Sequence, residues 1–138
     1  MPPVDDRYPF PTPPRGAATG AAAPAVARGD LPEWDLCDLY AGMDAPELAR
    51  DLAKVAAEAV AFEKEWKGRL AQEAAAPRAG GLGRALVRYE EIEELMGRIG
   101  SYAGLLYAGD TSDPVRAKFY GDVQEKLTDA SAHLLFFT

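Results

Sequence analysis

The sequence predicts an all-α fold, an antiparallel bundle of three long helices behind a disordered tail rich in proline and alanine. Three observations lead there. Apolar residues recur in alternating steps of four and three along three long stretches, the spacing that lines one face of a helix. Short runs of Gly, Pro and Asp separate those stretches. No stretch alternates apolar and polar residues as a half-buried strand would.

Residues 1–30 read as the tail. Of the 11 prolines, Pro2, Pro3, Pro9, Pro11, Pro13, Pro14 and Pro24 lie there, with an Ala/Gly run between Gly16 and Ala23. Such a segment cannot bury enough apolar surface to offset the entropy of ordering it. An inert extension is preferred to a proline-rich ligand. Order is expected from Leu31, where Leu31-Pro32-Glu33-Trp34-Asp35-Leu36 shows no clear period and reads as an extended lead-in. Trp34, Leu36, Leu39 and Tyr40 would then lie across the helical core.

The first helix should start after Asp44. Asp44 is the expected cap, Pro46 suits the first turn, and Glu47 stands where a capping box needs it. Leu48, Leu52, Val55, Ala59, Phe62, Trp66 and Leu70 form its stripe, with Glu63/Lys67 and Glu65/Arg69 as acid-before-base pairs on the other face. Ala74 through Gly83, with Pro77 inside, makes the turn.

The second helix runs from about Leu82 to Ala108 on the stripe Leu82, Leu86, Tyr89, Ile92, Met96, Ile99, Ala103 and Leu106. Gly109-Asp110 stops it. Asp113 as cap with Pro114 in the first helical position starts the third helix, whose stripe is Val115, Phe119, Val123, Leu127, Ala130, Leu134 and Phe137. Similar lengths and short connections favour an up-down-up bundle. The chain then reads Leu134-Leu135-Phe136-Phe137 with no capping glycine or polar residues to protect the run. Such a surface is expected to need a partner.

The 138 residues suffice for one domain with a real core, and 48% of them are apolar. A formal charge of -7 and a pI near 4.7 argue against extended contact with nucleic-acid phosphate. The excess lies wholly after residue 30, because Asp5, Asp6 and Asp30 balance Arg7, Arg15 and Arg28. A single cysteine, Cys37, cannot form an intrachain disulfide, which agrees with a reducing compartment. No run is long and apolar enough to span a bilayer or to serve as a secretory signal, so no membrane partner is expected and the cytoplasm is the expected location.

Two groups of residues resemble a known family. Trp34-Asp35-Leu36-Cys37-Asp38-Leu39-Tyr40 is similar to its opening Trp-Asp-Leu-x-Asp-Leu-Tyr. Ser101-Tyr102-Ala103-Gly104-Leu105-Leu106-Tyr107, followed by Asp110-Thr111-Ser112-Asp113-Pro114, resembles the N-terminal region of oligoendopeptidase F, in the thimet-oligopeptidase superfamily of zinc metallopeptidases. Ser131-Ala132-His133-Leu134-Leu135-Phe136-Phe137 is similar to that family's continuation into its main helical body. The resemblance covers residues 31–138 in the family's order.

It implies a helical peptidase several times longer than this chain, cutting short peptides in an enclosed channel. Its zinc would be held by two histidines of a His-Glu-x-x-His helix and a downstream glutamate, with the Glu between the histidines as general base. No such motif occurs here and His133 is the one histidine, so no catalytic residue, metal ligand or cofactor transfers to this chain. Residues 31–138 would be the N-terminal helical domain, walling one side of the channel. Leu134, Leu135, Phe136 and Phe137 would meet the missing C-terminal catalytic domain.

Other candidate sites have plainer readings. His133 follows Asp129 by one helical turn, but two ligands do not make a tight metal site. Glu90, Glu91, Glu93 and Glu94 spread around Ile92 as a solvated face, with Arg98 one turn after Glu94. Gly97, Gly100 and Gly104 inside a helix call for compensation, by close approach of another helix or as a hinge or peptide-facing surface. Tyr102 and Tyr107 are core or interface tyrosines before they are substrate contacts. Gly80-Gly81-Leu82-Gly83 is a loop, and Cys37 lacks a basic neighbour to make it reactive. The competing function is a free-standing helical interaction module. A carboxylate metal bundle would need Glu-x-x-His pairs, which are absent.

Overall fold

The computed structural model describes residues 34–75 and 80–138, and every regular element among them is helical. The expected tail, residues 1–30, and the middle of the expected turn, residues 76–79, lie outside the described residues. Three long helices are present, as the periodicity requires, together with one short helix. They are α1 (Pro46–Trp66), α2 (Leu70–Ala75), α3 (Gly81–Gly109) and α4 (Pro114–Ala132).

α1 begins one residue later than its expected cap. Ala45 is the N-cap and no side chain caps it, so Asp44 does not serve there. Pro46 in the first position supplies a φ already suited to a helix and lacks the N–H that would go unpaired. The stripe buries Leu48, Val55, Ala59, Phe62 and Trp66. The helix stops at Trp66 rather than running through Leu70 into the turn. Lys67 leaves helical geometry, and Gly68 takes φ 81°, a left-handed conformation open to glycine at little cost. The chain restarts as α2, which packs on α3.

α3 follows Gly80, itself at φ 58°, and buries Ala85, Ile92, Ile99, Tyr102 and Ala103. Asp110, in extended geometry, ends it. α4 starts as expected: the Asp113 carboxylate accepts from the Val115 N–H at 2.8 Å and the Arg116 N–H at 3.4 Å. Pro114 occupies the first position. Its buried residues, Val123, Leu127 and Ala130, belong to the expected stripe, but Val115 at the start is 61% exposed.

One core joins the three long helices, each packed against the other two. Along α3 and α4 the contacts run in opposite residue order. Tyr107 stacks on Tyr120, Gly100 faces Leu127, and Tyr89 meets Phe137. Phe62 sits among the rings of Trp66, Tyr89, Phe136 and Phe137, all with centroids within 6.4 Å. Two residues placed on core stripes by periodicity, Leu82 and Leu86, are 42% and 48% exposed. Trp34, expected across the core, is 76% exposed.

Candidate functional site

The lead-in segment is held to the bundle by a few specific contacts. Asp35 Oδ1 accepts from the Cys37 N–H at 2.9 Å, and the Leu39 and Tyr40 N–H groups donate to the Leu36 carbonyl, which turns the chain. Arg98 on α3 donates to the Leu39 carbonyl at 2.8 Å and places its guanidinium 4.9 Å from the centre of the Tyr40 ring. It thus binds the lead-in, not Glu94. Tyr40 is buried, donates to Asp51 at 2.9 Å, and meets Tyr102 edge to face with ring centres 5.3 Å apart. Burial first, and then the Asp51 carboxylate, push the Tyr40 hydroxyl pKa up to about 12. The Cys37 thiol is exposed and pushed up by the hydrogen bond and charge of Asp35, which keeps it in the unreactive protonated form.

His133 finds its partner across the bundle. Its Nδ1 lies 2.5 Å from Glu63 Oε2 on α1, and Lys67 holds the other oxygen of that carboxylate at 2.5 Å. The two hydrogen bonds, Lys67 first, hold the Glu63 pKa below its usual value. Asp129 and His133 share the rim of one groove, but among the described residues no group of three potential metal ligands occurs. Arg69, expected to pair with the Glu65 carboxylate, instead binds the Glu65 carbonyl at 3.3 Å and the Glu73 carboxylate at 3.0 Å.

Two grooves flank α1. One, between α1 and α3, has a volume of about 740 Å³ and is lined by equal charges of both signs, Lys54, Arg88 and Arg98 against Glu58, Glu91 and Glu94. Arg88 and Glu58 form an ion pair across it. The other, about 590 Å³ between α1 and α4, is lined mostly by small and apolar residues, with Asp44, Asp122, Lys126, Asp129 and His133 as its polar members. Glu90, Glu91, Glu93 and Glu94 are all exposed.

The glycines of α3 differ from one another. A Cβ on Gly100 would stand 3.4 Å from Leu127 and one on Gly104 would stand 3.8 Å from Tyr120, ordinary contacts with α4. A Cβ on Gly97 would meet nothing within 4 Å, so close packing does not account for Gly97, which borders the α1–α3 groove. Tyr102 is buried between Tyr40 and Phe119, a core residue. Tyr107 stacks on Tyr120 at 5.1 Å and 3°.

The terminal apolar run mostly serves the chain's own core. Leu134 is 2% exposed, and Phe136 and Phe137 close over Phe62. Of the four residues expected to await a partner, Leu134 is buried, Phe136 and Phe137 are half-buried, and Leu135 is 69% exposed.

The Glu63–His133, Glu58–Arg88 and Arg98–Leu39 contacts had no local signal in the sequence, because their partners lie far apart along it. No family model, curated protein or solved structure matches the chain.

Proposed function

We propose that this chain is the N-terminal helical portion of a cytoplasmic, zinc-dependent oligoendopeptidase resembling oligoendopeptidase F. In this reading it has no catalytic residue of its own. It forms a rigid wall beside the catalytic domain, where short peptides would be cut. One observation carries the reading: the strings on which the resemblance rests interlock. Tyr40 of the Trp34–Tyr40 string and Tyr102 of the Ser101–Tyr107 string meet ring to ring, and Phe119, on the helix begun by Asp113-Pro114, packs on Tyr102. Motifs that assemble into one structural joint support common descent better than scattered matches do.

The zinc, its two histidines and the general-base glutamate would belong to the catalytic domain. The contribution of residues 31–138 would be shape: a packed bundle narrows access, so flexible peptides enter and folded proteins do not. Sequencing the gene past codon 138 tests this. A frame that continues into a His-Glu-x-x-His helix and a downstream glutamate is the expected result, and a stop codon directly after Thr138 sinks the reading. The second reading is a free-standing helical interaction module. The exposed leucines of α3 favour it, since they offer an apolar surface without any catalytic partner.

A further inference from the structure

His133 is the only histidine of the chain, and it stands where α4 ends and the segment that closes over Phe62 begins. It is the C-cap of α4, its N–H donating to the Ala130 and Ser131 carbonyls. Directly after it, the Leu134 N–H donates to Ser131 and the Phe137 N–H donates to Leu134. That turn sets the Phe136 and Phe137 rings 5.6 and 5.2 Å from the ring of Phe62. The His133 Nδ1 reaches Glu63 on α1 at 2.5 Å. A carboxylate offers only lone pairs, so Nδ1 carries a proton in this contact. The imidazolium has a proton on each nitrogen, whereas the neutral ring has one on only one of the two. A second feature favours the charged ring. The last turn of α4 holds Asp129 and no basic residue, so a protonated His133 supplies the cation that this negative helix end lacks.

We infer that His133 is a proton-operated clasp: protonated, it fastens the end of α4 and the closing segment to α1, and neutral, it holds them more weakly. Histidine gains and loses its charge between about pH 5 and 8. The hold is therefore full in mild acid and falls as the pH rises. Charged groups surround the clasp on three sides. α1 brings Glu63 and Lys67, and α4 brings Asp122, Lys126 and Asp129, which line the adjoining groove together with Asp44. α3 meets the closing segment through Tyr89, with Glu93 beside that ring. Among the described residues, only Glu63 lies within ion-pair distance of His133. Lys67 binds the other oxygen of Glu63 and leaves Oε2 to the histidine. The clasp does not depend on the peptidase reading.

NMR of the 138-residue chain from about pH 5 to 8 tests this on the wild type. As the His133 ring resonance titrates, the Phe62 ring and Phe137 amide resonances should move with the same midpoint, because the segment loosens as the charge leaves. Phe62 and Phe137 resonances that stay fixed while His133 titrates would overturn the clasp. Urea unfolding then measures its strength. On going from the alkaline to the acid end of that range, the folding equilibrium constant of the wild type should rise about two- to fivefold more than that of H133Q. Every other titrating group is shared by the two proteins, so the excess belongs to His133. E63Q should lose most of that excess. An equal rise in the wild type and H133Q would refute the switch. A full excess in E63Q would assign the effect to the helix end alone and refute the fastening to α1.

Discussion

Asp113 and Asp44 stand in similar sequence contexts, each just before a proline-led helix, yet only Asp113 caps. Asp113 directly precedes its proline, which puts its carboxylate beneath the free N–H groups of the first turn. Asp44 is one residue too early, and Ala45 takes the cap position. D113A should therefore destabilise the chain by roughly 0.5–2 kcal/mol in urea unfolding, whereas D44A should change little. Glu63 gives a pH prediction. Its pKa is depressed by Lys67 and then His133, so folding favours the ionised carboxylate. Its contribution is complete above the ordinary value of 4.5 and is lost as pH falls through the lower folded value. The melting temperature of E63Q should lie below that of wild type at neutral pH, and the gap should close on acidification. A gap that stays open well below the ordinary carboxylate value of 4.5 would contradict the pairing.

Periodicity located the three long helices because it follows directly from which faces are buried. It could not locate their ends as well. α1 breaks at Gly68 because a single glycine with φ 81° costs little, and no apolar signal marks that residue. The α3 stripe was legible over Ile92, Ile99 and Ala103 but overextended to Leu82 and Leu86, since helical spacing shows a shared face and not whether a neighbour reaches along it. The glycines of α3 show the same limit. Their spacing suggested one role, while the structure separates Gly97 from Gly100 and Gly104. G97A should stabilise α3 by up to about 1 kcal/mol, since alanine gains helix propensity and meets nothing. G100L should overpack against Leu127 and destabilise by about 1–3 kcal/mol. Both are read from denaturant midpoints, and matching signs for the two would refute the distinction.

At the scale of the whole molecule, the aromatic cluster around Phe62 ties α1, α3 and the segment after α4 together. F62A removes a ring that is 1% exposed and touches four others, so a loss of about 3–5 kcal/mol is expected by chemical denaturation. The sequence made Phe62 legible as a core residue but not as a hub. Phe136 read as surplus apolar surface because its partner Phe62 lies about half the chain away, and pairings over such distances leave no local pattern. The candidate sites were less legible than the fold for the same reason. His133 read as a locally satisfied histidine, yet its partner Glu63 lies across the bundle, and Arg98 looked like a partner for Glu94 until it reached the lead-in.

The closure over Phe62 also bears on synthesis. α1 and α3 are synthesised before Phe136 and Phe137, so Phe62 and Tyr89 lack these partners while α4 is being made, on the order of seconds. In that interval the nascent chain presents an aromatic surface to whatever is near, and the helices cannot complete their mutual core however readily each one forms. Codon choice across α4 therefore sets how long the molecule is open to chaperones or to wrong collapse. Slow translation there would lower soluble yield without altering the stability of the finished fold.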